Sequence, residues 1–141
     1  MKLKLLIALL TCVLLLVTGC QTTGTPVPEK MAFLDSVVGI YKGVIASATP
    51  DSPGTTNFSK DANGNIIGAY EYADEHNVTA KGTLKDCKQT GDSGLHCQWV
   101  DKYGTGDLKI TFDANANKFT GAWNLKGSDF TMPWTGAKEA Y

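Results

Sequence analysis

Residues 95–112 read LHCQWVDKYGTGDLKITF. Apolar side chains stand at alternate positions on both sides of a turn signal at residues 103–105. Alternation with a period of two is typical of a β-strand with one buried face. The stretch therefore predicts two antiparallel strands joined by a tight turn. The alternating apolar residues are Leu95, Cys97, Trp99, Leu108, Ile110 and Phe112.

Segments of the same kind lie on both sides of this stretch, separated by clusters of Gly, Asn, Asp, Ser and Pro. We therefore expect an all-β domain over residues 31–141, built as an antiparallel meander of about seven short strands. Near-helical spacing of apolar residues over 29–38, followed by Gly39, predicts a short helix before it. The strands are expected at 40–48, 65–73, 77–87, 95–102, 106–113, 118–125 and 130–137, and the turns at 61–64, 74–76, 91–94, 103–105, 113–117 and 126–128.

Glycines inside the predicted strands indicate how the sheet curves. Antiparallel sheets bend where a glycine lies beside a large side chain, so the pattern favours a small barrel or half-barrel. A twisted open meander is the alternative. Segments 41–43 and 134–136 would close the barrel if they lay side by side. The glycines and their neighbours two positions away are Gly43 with Tyr41, Gly68 with Tyr70, Gly82 with Leu84, Gly121 with Trp123, and Gly136 with Trp134.

The N-terminus has the features of an export signal. Met1–Lys4 contains two lysines, and residues 5–17 form an almost unbroken apolar run, long enough for a signal-peptide core and short for a membrane span. The run ends in Val17-Thr18-Gly19-Cys20, which resembles the lipobox of bacterial lipoproteins. The resemblance implies that residues 1–19 are a cleaved signal peptide. It also implies that acyl chains such as palmitate are attached to Cys20.

The same resemblance implies an address. Acyl chains on Cys20 anchor a protein to a membrane without spanning it. Residues 20–30, with their threonines, prolines and glycine, then form a flexible tether. Gln21 stands where the enteric lipoproteins retained at the inner membrane have aspartate. The expected location is therefore the outer membrane of the cell envelope, with the domain facing the periplasm.

Length and charge restrict the class of protein. A chain of 141 residues with a net charge of -1 and 43% apolar residues is one folded domain. Loss of Lys2 and Lys4 with the signal leaves 11 of 13 basic residues against 14 acids, which gives -3. All the basic residues are lysines. Without arginine, the residue best suited to bidentate phosphate contacts, nucleic acid is not an expected partner.

The cysteines agree with export. Of the four, one lies in the signal and Cys20 is assigned to the lipid, which leaves Cys87 and Cys97 to form a disulfide in an oxidising compartment. Pairing them predicts a hairpin with a short turn. In that register Leu84 lies opposite Val100, on the face away from Cys97, so both faces of the hairpin carry apolar residues.

Two metal interpretations are set aside. Cys87, Cys97, His76 and His96 have no recognised ligand spacing. The Asp-x-Asn-x-Asn motif occurs twice and resembles the start of a calcium loop, but both copies lack the glycine and the glutamate that the loop needs. We expect no metal or cofactor. The two motifs, which start at Asp61 and at Asp113, instead predict turns in which the aspartate side chain bonds backbone amides.

Enzyme activity is not expected. Gly91-Asp92-Ser93-Gly94 has the letters found around the nucleophilic serine of trypsin-like proteases, but that family needs two barrels and a histidine and an aspartate well upstream. Here the segment serves as a hairpin turn. The acids Glu71, Asp74 and Glu75 are interpreted as a surface cluster beside a turn.

The aromatic residues are the candidates for binding. They either line a cavity that stacks a ring or an acyl chain, or simply fill the core. The order of short strands, the aromatic residues near glycines and the terminal Trp-x-Gly resemble avidin and lipocalin barrels, which imply a small ligand held in the barrel mouth. No family-specific motif is matched, so biotin or retinoid binding is not carried over. The candidates are Tyr70, Tyr72, Trp99, Trp123 and Trp134.

Two functions follow from these observations. In the first, the domain is a noncatalytic lipoprotein whose barrel binds a small apolar ligand. In the second, it is an interaction module, an inhibitor or assembly factor, that docks on an envelope protein through residues 88–96 or through an open sheet face.

Overall fold

The domain is all-β, as predicted. A computed structural model describes Gly24 and residues 29–140, so the signal segment, Cys20 and most of the tether lie outside the described residues. One short helix precedes eight strands, each antiparallel to its neighbours. The elements are α1 Glu29–Ser36, β1 Gly39–Val44, β2 Pro53–Lys60, β3 Ile66–Ala73, β4 Thr79–Thr90, β5 Gly94–Asp101, β6 Gly104–Phe112, β7 Lys118–Leu125 and β8 Met132–Lys138.

The strands close into a barrel. Each strand pairs with the next along the chain, and β8 pairs with β1, so that both sheet edges are covered. The closure brings together the segments around 41–43 and 134–136, as the sequence analysis expected, and the open meander is wrong. Residues opposite one another at the closure are Tyr41 and Lys138, Lys42 and Ala137, and, in one further bridge, Ile45 and Trp134.

The structure has one strand more than the seven located from the sequence, because β2 was not predicted. Its inward positions hold Gly54, Thr56 and Phe58, so only one of them carries a large apolar side chain. The small residues are needed there. A Cβ on Gly54 would lie 2.5 Å from the Ile45 side chain, and the buried Thr56 hydroxyl accepts a hydrogen bond from the Trp134 indole at 2.9 Å. A polar strand shaped around its neighbours gives no alternating apolar signal.

The predicted register of the β4–β5 hairpin holds near its turn and fails further away. Lys88 lies opposite His96, as pairing of the cysteines requires, but a bulge between Lys85 and Lys88 then shifts the register by one residue. Asp86 lies in the bulge in a left-handed conformation, with a φ of 52°. Leu84 therefore lies opposite Trp99, not Val100 as predicted, and it points into the core. A one-residue shift moves a side chain to the other face of a strand.

Two of the strand glycines, Gly82 and Gly136, lie opposite a large aromatic residue on the neighbouring strand. Tyr70 is opposite Gly82, and an added Cβ there would lie 2.2 Å from the tyrosine ring. Phe119 covers Gly136 in the same way, at 2.5 Å. Rings laid over glycines allow the sheet to curve tightly enough to close, so the physical reason given for a barrel was right while the pairing was different.

One end of the barrel is filled by packed aromatic rings and capped by the helix; we call it the closed end. It comprises α1 and the turns at 61–65, 91–93 and 113–117. Ring centroids in its aromatic cluster are 5.3 to 6.0 Å apart, mostly edge to face. The buried hydroxyl of the central tyrosine lies 2.8 Å from the Ala116 carbonyl oxygen. The cluster consists of Phe33, Tyr41, Phe58, Phe112 and Phe119.

The helix and strand limits differ from the predicted ones by a few residues. The helix ends at Ser36, two residues early, and the buried Val37 leads into β1. It begins at Glu29, inside the segment assigned to the tether. β1 ends at Val44, four residues before the predicted end, although Ile45 still forms a bridge with Trp134 and the Ala46 amide bonds the Pro133 carbonyl oxygen at 2.9 Å. Strands β4 and β8 each start two residues later than expected and run on past the predicted end.

The predicted turns form at the two Asp-x-Asn-x-Asn motifs. One oxygen of Asp61 accepts the amides of Asn63 and Asn65 at 2.8 and 2.9 Å. Asp113 accepts the amide of Asn117 at 2.7 Å in the same manner. The motifs therefore act as aspartate-stabilised turns between strands. In the part of the chain that the structure describes, no helix is long and apolar enough to cross a membrane.

The structure joins Cys87 and Cys97 in the predicted disulfide, with their Cα atoms 4.0 Å apart. Cys97 is fully buried, and Cys87 packs against the core from the residue after the bulge. The bond therefore fastens β4 to β5 at the point where their register changes.

We expect Cys97→Ala to lower the free energy of unfolding by about 3 kcal/mol, because the cross-link restricts the unfolded chain over a short loop. Denaturant melts of the oxidised protein and of the variant measure the difference. An unchanged midpoint would show that the two cysteines are not paired in the native protein.

Candidate functional site

The barrel end opposite the helix opens into a cavity; we call this end the mouth. It is formed by the connections 45–52, 74–78, 102–103 and 126–131, which join the strands at that end. The cavity has a volume of about 270 Å³. Its walls are mainly apolar and aromatic, with acidic residues among them. The lining residues are Ile45, Ser47, Ala48, Tyr70, Tyr72, Asp74, Glu75, Trp99, Asp101, Tyr103, Trp123, Leu125, Met132 and Trp134.

All five aromatic residues proposed from the sequence line this one cavity. They come from β3, β5, β7 and β8, and barrel closure brings them together. Four also belong to the buried core, with Trp134 1% exposed, Trp99 3%, Tyr70 4% and Tyr72 9%. Trp123 is only partly buried. These residues therefore both fill the core and line the cavity, because one side of each ring packs against the core and the other side forms the cavity wall.

The rings hold one another at fixed angles. Tyr70 meets Trp134 edge to face, with centroids 4.7 Å apart, and stacks nearly parallel to Tyr72 at 6.3 Å. Trp99 and Trp123 are almost perpendicular, with centroids 5.3 Å apart. Such arrangements are the favoured geometries of aromatic pairs and add to the area they bury. The cavity wall is thus a preorganised surface of aromatic faces and edges.

The indole N–H groups are all used inside the protein. Trp99 donates to the Asn124 carbonyl oxygen at 3.0 Å, and Trp123 donates to the Ala46 carbonyl oxygen at 2.7 Å. Trp134 donates to Thr56, as described above. These bonds fix the orientation of each ring, so the side chains present their apolar faces to the cavity.

Asp101 supplies the polar contacts of the inner tyrosines. One of its oxygens accepts the Tyr70 hydroxyl at 3.0 Å, and the other accepts the Tyr103 amide at 2.7 Å. Burial, followed by the charge of Asp101, raises the pKa of Tyr70 far above its ordinary value. The same two causes raise the pKa of Tyr72. Both hydroxyls therefore stay protonated as hydrogen-bond donors near the carboxylate.

Comparisons with known protein families, with curated proteins and with solved structures give no match. Among the described residues, no group of three or more His, Cys, Asp or Glu side chains is placed to hold a metal ion.

Asp74 holds the rim of the mouth together. It is 8% exposed, although the sequence analysis placed it in a surface acid cluster. One oxygen accepts the amides of His76 and Val78 at 3.0 and 2.9 Å, and the other accepts the Tyr103 hydroxyl at 2.9 Å. Lys102 lies 3.4 Å from that second oxygen. The residue joins the turn after β3 to the turn after β5.

The polar residues of the site were missed at the sequence level because the polar contacts arise only on closure. Asp101 ends β5, and Asp74 follows β3, 27 positions earlier in the chain. One signal was present. Asp74 and Asp61 both come directly after a strand, and each accepts the backbone amide two residues further on. The aspartate turn at Asp74 was therefore predictable in the same way as the turn at Asp61.

The Asp74 contacts give a pH dependence. Hydrogen bonds to its carboxylate, the Val78 amide first, lower its pKa from 3.8 to about 2. A lowered folded-state pKa contributes stability that is fully present above the unfolded value and is lost as the pH falls through the folded value. We therefore expect the stability advantage of the wild type over Asp74→Asn to shrink between about pH 4 and pH 2.

Thermal melts of both proteins across that range measure this effect. Asp92→Asn, which removes an exposed acid at the closed end, serves as the control and should show a constant offset from the wild type. A constant offset for Asp74→Asn as well would contradict the assignment.

Proposed function

We propose that the protein is a noncatalytic lipoprotein of the outer membrane whose barrel binds a small ligand in the mouth cavity. The observation that carries the proposal is the asymmetry of the barrel. One end is filled by five packed aromatic rings and capped by α1, while the other opens into about 270 Å³ walled by aromatic side chains. A concave, mainly apolar site with few polar groups is the usual form of a small-molecule site.

The volume limits the ligand. Small-molecule sites commonly measure about 300 to 1,000 Å³, so this cavity lies at the lower limit of that range. A single ring system with short substituents fits within it. A long acyl chain would extend beyond the mouth, so an acyl-chain ligand is less well supported than a compact aromatic one.

The position of the chain ends supports an orientation for the anchored protein. The described domain begins with α1 at the closed end, and β8 also finishes there. A tether from Cys20 therefore joins the domain on the side away from the mouth. In the proposed arrangement the closed end lies towards the membrane and the cavity opens to the periplasm.

The proposal of a noncatalytic site is supported by how the acids are used. Asp74 holds its low pKa through its hydrogen bonds, and Asp101 is bound by Tyr70 and by the Tyr103 amide. A general acid or base needs a pKa near the working pH. These carboxylates have the environment of structural and ligand-orienting groups.

The alternative of an interaction module has less support. A free sheet edge is not available for docking, because every described strand is paired on both sides. The predicted docking loop at 88–96 lies at the closed end, which in the proposed arrangement is the end nearer the membrane. Phe130 at the mouth is 70% exposed, so a partner would find its most apolar contact there.

Native mass spectrometry of residues 21–141, exported without the lipid and purified from the periplasm, tests ligand binding. We expect an added mass that disappears on denaturation. A bare mass two daltons below the reduced value, together with crosslinking to an envelope protein, would favour the interaction module.

The anchor is tested separately. We expect Cys20→Ser to move the protein from the membrane fraction to the soluble periplasm and to abolish labelling by palmitate. Unchanged fractionation would contradict the lipoprotein assignment without affecting the binding proposal.

A further inference from the structure

The spare hydrogen-bonding capacity of the mouth cavity consists mainly of acceptors. The three indole N–H groups, the Tyr70 hydroxyl and the Tyr103 hydroxyl all donate to protein acceptors. The Ser47 hydroxyl has no partner among the described residues, but its oxygen is inaccessible to solvent. Apart from the Tyr72 hydroxyl, which lines the cavity and has no hydrogen bond to the described residues, what remains open to a ligand are lone pairs of carboxylate and tyrosine oxygens, and aromatic faces. The cavity therefore offers few hydrogen-bond donors to a ligand that has acceptor groups, and several acceptors to a ligand that has donor groups.

The charges point the same way. Asp74, Glu75 and Asp101 line the cavity, and no lysine or histidine is among the lining residues that the structure describes. Lys102 is bound to Asp74 from outside that set. Asp101 has no ion-pair partner within the described residues. A partly buried carboxylate without a cation attracts one and repels an anionic ligand.

The rings add to this preference. The face of an aromatic ring carries negative charge, and tryptophan and tyrosine faces attract ammonium groups at centroid distances up to about 6 Å. Tyr70 lies beside Asp101 and packs against Tyr72 and Trp134. A positively charged group near Asp101 would therefore contact both a carboxylate and aromatic rings.

We propose that the ligand is a compact cation, an amine or ammonium compound with a small apolar body. Its charged nitrogen lies against Asp101 and the tyrosines, and its body packs among the three tryptophans. The inference rests on the proposed function, since it assigns the chemical class of the ligand for the same cavity.

The test uses three probes of nearly equal size and different charge: phenethylammonium, the neutral 2-phenylethanol and the anion phenylacetate. All three tryptophans of the protein line the cavity, so their fluorescence reports binding directly. We expect phenethylammonium to bind about tenfold more tightly than 2-phenylethanol, and phenylacetate to bind more weakly than either.

Two variants with the same change of net charge locate the effect. Asp101→Asn should reduce the preference for phenethylammonium over 2-phenylethanol, measured on the variant itself, from about tenfold to about twofold or less. Asp92→Asn, at the closed end, should change neither affinity. Far-ultraviolet circular dichroism and melting confirm that both variants are folded, and the wild-type ranking of the probes tests the inference without any variant.

The outcomes separate the two proposals. Equal affinity for the three probes, a preference for the anion, or a preference that survives in a folded Asp101→Asn variant would overturn the cation inference and leave a small-ligand barrel standing. No fluorescence response to any probe at millimolar concentration, together with a bare native mass, would overturn both.

Discussion

Replacing Phe58 by alanine is expected to lower the free energy of unfolding by about 3 to 5 kcal/mol. Phe58 is fully buried, and its ring centre lies 5.8 Å from that of Tyr41 and 6.0 Å from those of Phe112 and Phe119. Removing it leaves a cavity among rings that cannot collapse without giving up their edge-to-face packing. Since single domains are stable by about 5 to 15 kcal/mol, this loss is a large part of the total.

Phe130→Ala is the matched control for Phe58→Ala. The same side chain is removed, but Phe130 is 70% exposed at the mouth, so the expected change is below about 0.5 kcal/mol. Denaturant melts of the wild type and both variants give the comparison. Similar effects of the two substitutions would contradict the account of the closed end as the packed core of the barrel.

Trp123→Ala is expected to weaken phenethylammonium binding about tenfold or more while the barrel stays folded. The partly buried Trp123 ring forms cavity wall, holds Trp99 at a right angle and is fixed by its bond to the Ala46 carbonyl oxygen. Truncating a central aromatic residue commonly costs an interface more than about 1 kcal/mol. The stability loss should be about 2 kcal/mol, smaller than for a fully buried ring because part of this one faces solvent.

Phe33→Ala separates loss of binding from loss of stability. Phe33 packs edge to face on Phe112 at the closed end, with centroids 5.8 Å apart, and is also only partly buried. It should destabilise the protein about as much as Trp123→Ala and leave the affinity for phenethylammonium unchanged. Calorimetric titration and melts of both variants measure the two quantities. Equal binding losses would mean that the mouth cavity is not the binding site.

The part of the fold that was predictable depends on large apolar residues facing one way. Strands with such residues, β5 and β6 above all, were recognised from their alternation. β2 was not, because two of its three inward residues, Gly54 and Thr56, are small so that Ile45 and Trp134 can fit against them. A strand whose inward residues are small because its neighbours are large shows little alternation of apolar residues in its sequence.

The β4–β5 register shows a second limit. Pairing of Cys87 with Cys97 correctly gave the turn, but the bulge at Asp86 changed which residues face inward beyond it. No glycine marks the bulge, since an aspartate adopts the left-handed conformation there. Aspartate tolerates that conformation better than most residues, but the sequence alone does not show when it does so.

The candidate site was predictable in its aromatic part only. Tryptophans and tyrosines at alternating positions of a strand predict inward-facing side chains, whether or not the sheet closes into a barrel. The roles of Asp74 and Asp101 depend on two turns meeting at the mouth after closure, and so they appear only in three dimensions. The sequence thus indicated an apolar cavity, whereas the polar groups of that cavity became apparent only in the structure.

The most direct test of the account is where a ligand perturbs the protein. Nitrogen–proton correlation spectra contain one indole signal from each of Trp99, Trp123 and Trp134, and all three rings line the cavity. On addition of phenethylammonium we predict that the three indole signals shift, while the backbone signals of the loop at 91–93 stay in place. Shifts centred on that loop or on α1, with the indole signals unmoved, would contradict a binding site at the mouth of the barrel.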